Sequence, residues 1–153
     1  MVGLPRRGER LTDSTGLPPA EFGFPQTDLR RRLVEAILRG EKTATAGLLV
    51  DYEREGDPLG TPGDRSVVID ADDRQVAVIE LTGIEVRRMA DVDLAFAIDE
   101  GEGFETVADW REAHERFWGG YLDEIRRDLG DPDWQLTDDT MVVCERFRLV
   151  ERL

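Results

Sequence analysis

One lysine occurs in this chain, Lys42, inside Gly40-Glu41-Lys42-Thr43-Ala44-Thr45, and every other member of its 20 basic residues is arginine. Arginine stays protonated in proteins, whereas burial or a neighbouring positive charge can strip the proton from a lysine amine and leave a base or nucleophile. A lysine kept where arginine otherwise serves is a candidate for chemistry. The plainer account is a surface lysine left over in an arginine-rich composition. Thr45 follows three residues later, and an amine beside a hydroxyl is a recognised way to activate an oxygen nucleophile. The spacing sets a condition. In a regular strand, positions i and i+3 point to opposite faces, so Lys42 and Thr45 line one cleft only if the backbone turns or bulges near Thr43 or Ala44. If the strand is regular from Lys42 onward, Thr43 and Thr45 share a face, and β-propensity alone accounts for them.

Carboxylates come next. In Asp99-Glu100-Gly101-Glu102-Gly103 the glycines let the chain present a carboxylate at an unusual backbone angle, where it could shuttle protons beside a lysine; the alternative is a solvated acidic loop. Glu145 shares one strand face with Met141, Val143, Phe147 and Leu149, where a lone carboxylate is costly. A salt bridge to an arginine accounts for it, with a ligand or lysine contact as the sharper reading. Glu80, beside Val76 and Val78, poses the same question. His114 lies in the helical stripe Val107, Trp110, Phe117, Tyr121 and reads as a core histidine before a base, with Trp110 and Phe117 as core. Arg30, Arg31, Arg32 and Arg39 with Lys42 form either a basic patch or a solvated helix face.

These residues need elements to hold them. Residues 1–20 are polar, turn-rich and aperiodic, and read as a flexible arm. Leu29, Leu33, Val34, Ile37 and Leu38 recur at helical spacing after a cap at Thr27 or Asp28, with Gly40 as the stop. Lys42 to Val50 reads as a strand, followed by a Gly/Pro-rich loop through residue 63. Ser66–Ala71 and Gln75–Thr82 read as a hairpin around Asp72-Asp73, and Ile84–Met89 as a further short strand. A short helix follows Asp91 and ends at Gly101; a longer one runs from Thr106 into the 120s, with Gly119-Gly120 as a point of interruption. The chain closes with a strand from Thr140 to about Val150. This mixture predicts an α+β domain with a small mixed or barrel-like sheet.

The 153 residues suit one domain. With 34 acidic residues and a net charge of -14, the surface repels a long phosphate backbone, so DNA and extended RNA are not expected partners. One cysteine, Cys144, excludes an internal disulfide, and a single histidine excludes the usual zinc clusters. The absence of a long apolar run or a secretory signal predicts a cytoplasmic protein without membrane contact.

Taken together, Gly40-Glu41-Lys42-Thr43-Ala44-Thr45, Asp91-Val92, Glu100-Gly101-Glu102-Gly103, Trp110-Arg111 with Ala113-His114 and Phe117, and Val143-Cys144-Glu145-Arg146-Phe147 resemble the ASCH domain of the PUA-like superfamily. The resemblance runs in consistent order from Glu21 to the C-terminus. It implies a PUA-like β-barrel with flanking helices over 21–153, and a cleft for a small nucleoside-like substrate or short single-stranded RNA. Some members are amidohydrolases of N(4)-acetylcytidine that use a lysine, a threonine three residues on, and a glutamate, without metal or cofactor. Lys42 and Thr45 match the first two. Glu102 matches the third by its place before Gly103-Phe104, with Glu100 as the alternative. Thr43, Glu100, His114, Glu145 and Arg39 are the residues expected around the substrate. In one order of roles a neutral Lys42 takes the Thr45 proton and Glu102 protonates the leaving amine; in the other Lys42 stays charged, steadies the oxyanion, and Glu102 is the base. The rival implication is a non-catalytic RNA-binding or ligand-sensing module, or a ribonuclease using the same cleft.

Overall fold

The computed structural model describes residues 16–153; the arm expected over 1–20 lies outside it as far as residue 15. In chain order the elements are β1 (Pro19–Ala20), α1 (Asp28–Leu38), β2 (Ala44–Leu48), α2 (Leu49–Glu55), β3 (Arg65–Ile69), β4 (Gln75–Arg88), α3 (Leu94–Asp99), α4 (Val107–Gly119), α5 (Leu122–Leu129) and β5 (Met141–Arg152). A 3-10 turn over Met89–Asp91 joins β4 to the approach to α3. No helix among these residues is long and apolar enough to cross a membrane.

The strands form one sheet in the order β1-β3-β4-β5-β2. β1 runs parallel to β3, and the remaining neighbours are antiparallel. The expected α+β class is what the chain adopts, but backbone pairing among the described residues leaves the sheet open, with β1 and β2 at its edges. The strand expected to break at Gly83 continues instead. β4 runs 14 residues against β5, and Gly83 marks a register shift, where a bulge bends the strand without ending it.

Two apolar clusters lie on opposite sides of the sheet. Ala44, Ala46 and Leu48 of β2, with Val142 and Cys144 of β5, pack against Phe96, Trp110, Trp118 and Ile125 of the helices that follow. Leu33, Val34 and Ile37 of α1 pack with Phe22 against Val68, Ala77, Ile79 and Phe147. Thr45 alternates with Ala44 and Ala46, so it points away from the first cluster. Phe117 of α4 touches both clusters, which makes α4 the element joining them.

Caps fix where the site-bearing helices begin. Thr27 accepts from the Arg30 amide, Asp93 from Phe96, and Thr106 from Asp109, each satisfying an otherwise orphaned first-turn donor. The cap of the short helix is thus Asp93 and not Asp91. Gly119-Gly120 does interrupt the long helix, separating α4 from α5.

Candidate functional site

Lys42 is planted by the end of α1. After Gly40 turns at φ 79°, the amides of Glu41 and Lys42 both donate to the Ala36 carbonyl, at 2.9 and 3.1 Å. Thr43 then donates its amide to Asp99, and regular β2 starts only at Ala44. The strand is therefore not regular back to Lys42, which meets the condition for Lys42 and Thr45 to serve one site. The Lys42 side chain is buried and folds over its own strand start. Its Nζ donates to the Ala44 carbonyl at 2.8 Å and the Glu100 carbonyl at 3.1 Å, and lies 3.6 Å from Glu102 Oε2. The Ala44 carbonyl belongs to the peptide unit that carries the Thr45 nitrogen, so the amine sits one peptide from the buried Thr45.

Glu100 and Glu102 reach this point from the far end of α3. The Gly101 turn, at φ 69°, presses against the lysine segment. A Cβ there would come within 2.5 Å of the Glu41 carbonyl oxygen and 2.6 Å of the Lys42 Cα, both backbone atoms that cannot swing aside. Gly101→Ala is expected to destabilise the fold by roughly 1–3 kcal/mol through the positive φ alone, measured by urea denaturation. Gly103→Ala, also at positive φ but with open space around its Cβ position, isolates the backbone strain from the clash.

The two glutamates have separate tasks. Neither is a solvated loop carboxylate: Glu100 is fully buried and the Glu102 side chain nearly so. Glu102 faces Lys42, while Glu100 turns to α4. Glu100 Oε2 accepts from Trp110 Nε1 at 2.9 Å and lies 3.0 Å from His114 Nε2, a close ion-pair contact. His114 Nδ1 is 2.8 Å from the Trp110 carbonyl, an acceptor only, so that nitrogen carries a proton. Burial alone would raise the Glu100 carboxyl, but the facing His114, and then Lys42, hold it well below the usual carboxylate range. The arrangement is a buried histidine–carboxylate pair. Its imidazole stacks on Trp110 at 4.2 Å between centroids and meets Trp118 edge-on at 5.0 Å.

Glu145 is buried next to Thr45, its cross-strand partner in the β2–β5 register, so the two project from the same face. Tyr52 of α2 donates its hydroxyl to Glu145 Oε1 at 2.5 Å, and burial followed by the charge of Glu145 pushes that hydroxyl far above its ordinary range. Glu80 does take the arginine solution, bound by Arg65 and Arg148. Thr43 directs its hydroxyl toward the Asp99 carbonyl, at 3.4 Å. Cys144, whose thiol burial pushes up to about 12, is a poor nucleophile.

Arg39 remains exposed and pairs with Glu41 at 3.1 Å. The expected basic patch is smaller than the sequence implied. Arg30 is buried in the core, donating to the Gly23 carbonyl at 2.8 Å and facing Glu21, and Arg31 is tied to Asp28. What remains is a groove of about 580 Å³ between α1, α4 and the segment 101–104, rimmed by Arg32, Arg39 and Arg116. Its floor includes Leu33, Phe104 and Phe117, and Glu102 joins it to the buried lysine.

Sequence reasoning named Lys42, Thr45, Glu100, Glu102, His114 and Glu145, and the fold gathers them around β2, with Thr43 and Arg39 at its margin. It missed Tyr52, and it read Trp110 as core alone, although indole nitrogens that are buried generally find an acceptor. It also did not join Glu100, Glu102 and His114 as donors. Their ligating atoms lie within 4.8 Å of one another, close enough to hold a divalent cation, although His114 and Lys42 already face the same carboxylates.

A small α+β domain whose sheet and helices enclose a lysine, a threonine and paired glutamates defines a PUA-like class of fold. The ASCH domain pattern matches residues 21–151, and the chain belongs to that family. Among solved structures it is similar to protein EF3133 from Enterococcus faecalis, with 28% identity and a TM-score of 0.78 over 92% of this chain and 80% of that one. It is similar also to an ASCH domain from Lactobacillus crispatus, with 29% identity and a TM-score of 0.73 over 86% and 77%. No curated protein matches the chain.

Proposed function

We propose that this ASCH domain is an amidohydrolase of the cytoplasm that removes an acyl group from the exocyclic amine of a small nucleoside-like substrate such as N(4)-acetylcytidine. The observation that carries the reading is the buried Lys42 amine, held by two carbonyls and the Glu102 carboxylate beside Thr45. All three partners of Nζ are acceptors. A neutral amine has two N–H groups and would aim its lone pair at one of them, whereas an ammonium matches all three. That favours the second order of roles.

Glu102 takes the proton of Thr45 Oγ1 as that oxygen attacks the acyl carbonyl. Lys42, as ammonium, faces the negative charge that develops on the carbonyl oxygen. Glu102 returns the proton to the departing amine nitrogen, leaving an ester on Thr45 and a free amine. Water then gives a proton to Glu102 and attacks the ester; the carboxylic acid leaves and Thr45 regains its proton. The groove beside Glu102 offers Phe104 and Phe117 as apolar surface for a base.

The test is release of cytidine from N(4)-acetylcytidine by the purified protein, followed by chromatography. Turnover that disappears in Thr45→Val supports the reading. No turnover of this or related acyl-amides, with short RNA still bound, would leave a binding module in its place. Gly101→Ala displaces the lysine segment and is expected to reduce turnover roughly 10²-fold, the scale set by ångström misplacements of catalytic groups.

A further inference from the structure

The chain carries a large acidic excess, and the described arginines are almost all spent on it. Among the described residues every arginine but two lies within 4.0 Å of a carboxylate, from Arg30 with Glu21 through Arg148 with Glu80. One exception is Arg152, which donates to the Leu38 carbonyl. The other is Arg32, which is exposed and whose side chain makes neither an ion pair nor a hydrogen bond among the described residues. Arg32 lines the groove that leads to Glu102.

Its surroundings sharpen the point. Arg39 and Arg116 stand on the same rim but are matched by Glu41 at 3.1 Å and Glu112 at 2.9 Å. These are exposed pairs, which cost little to exchange for a better acceptor. Glu35 and Glu102 are the acidic members of the lining, and Glu102 is engaged by Lys42. Arg32 on α1 and Arg39, the residue that caps its C-terminal end in helical conformation, are seven residues apart, so they stand on one face about 10 Å apart. The groove thus offers an uncompensated guanidinium at one point, an apolar aromatic floor, and a reactive carboxylate at another.

We infer that the groove takes a substrate bearing a phosphate, and that Arg32 is the residue that binds it. This rests on the proposed hydrolysis for the rest of the substrate and adds its class: a nucleoside monophosphate in preference to a free nucleoside. A guanidinium presents a planar fork of donors matched to phosphate oxygens. The volume, about 580 Å³, suits one mononucleotide-sized ligand. The net charge of -14 disfavours a longer phosphate backbone.

The experiment is calorimetric titration of the full chain with cytidine, cytidine 5′-monophosphate and a short oligocytidylate, at low and high salt. Arg32→Ala is tested beside Arg31→Ala, an exposed neighbour on α1 that pairs with Asp28 and does not line the groove. The monophosphate is expected to bind wild type and Arg31→Ala about tenfold more tightly than cytidine, the gain of one charge-assisted contact. Arg32→Ala should abolish that difference and leave cytidine binding unchanged. Equal binding of cytidine and its monophosphate, no binding of either, a preference that survives Arg32→Ala, or tighter binding of the oligonucleotide would each overturn the inference. Failure of the hydrolysis reading is separable. A phosphate preference without turnover of acetylcytidine or its monophosphate sinks that reading alone, and turnover indifferent to phosphate sinks this one alone.

Discussion

Lys42→Met is expected to lower turnover of N(4)-acetylcytidine by roughly 10²- to 10³-fold, the cost of losing one donor to a developing oxyanion. Methionine is the informative replacement because it is unbranched and apolar and can follow the path of the buried lysine stem. It removes the donor and leaves the Ala44 and Glu100 carbonyls without their shared partner. Lys42→Arg asks the complementary question. It keeps the positive charge, but a guanidinium is larger than the ammonium it replaces in a fully buried site, where overpacking costs about 1–3 kcal/mol. If Lys42 serves only as a charge, Arg restores part of the turnover lost in Met. If its placement against Ala44, Glu100 and Glu102 is what matters, both variants lose it. Circular dichroism and a thermal melt on each variant separate lost chemistry from lost fold. Wild-type turnover in Lys42→Met would refute any chemical role for the amine.

Periodicity made much of the scaffold legible. α1, the β3–β4 hairpin and β5 follow the apolar spacing closely, because each lays one face on a core. The misreadings have local causes. Leu49-Val50 continues the apolar run of β2 and was expected to continue the strand, yet α2 begins at Leu49. There tertiary packing outweighs β-propensity: Val50 joins the first cluster, Tyr52 reaches Glu145, and Arg54 binds Asp51 and Asp128. Arg30 reads from sequence as a member of a basic patch or solvated helix face with Arg31, Arg32, Arg39 and Lys42. Its spacing of three, four and seven residues from Leu33, Val34 and Ile37 was a readable signal that it shares their buried face. The junction of Lys42 with Glu102 was different in kind. The two residues are separated by nearly half of the domain, and no local pattern specifies their meeting. Residue types offered a carboxylate of 99–103 as a proton shuttle beside a lysine, and the resemblance from Glu21 to the C-terminus selected Glu102.

The largest effect on stability is expected at the other glutamate. Glu100→Ala leaves the buried Trp110 indole N–H without its acceptor and His114 without the carboxylate it faces, and breaking a buried pair of this kind costs about 3–5 kcal/mol. For a domain of this length that lowers the melting temperature by roughly 10 °C. Glu100→Gln is the milder variant, since its amide oxygen can still accept from Trp110 while the charge is gone. The pH dependence then identifies the charge itself. Glu100 titrates lower in the folded protein than in the unfolded chain, so the folded state favours the ionised form. Its stabilisation is fully present above the unfolded carboxylate range, near pH 4.3. It is lost as pH falls below that range, because protons then bind the unfolded state preferentially. The stability gap between wild type and Glu100→Gln should therefore be open just above the carboxylate range and narrow as pH falls below about 4, read by urea denaturation at each pH. A gap that stays constant down to pH 3 would mean that Glu100 contributes only its shape and its hydrogen bond to Trp110. The pair also bears on the chemistry, because the Glu100 backbone carbonyl is one of the three acceptors that orient Lys42. Anchoring the Glu100 side chain to α4 therefore fixes the carbonyl that aims the lysine, which makes Glu100 a positioning residue for Lys42 while Glu102 faces the substrate groove.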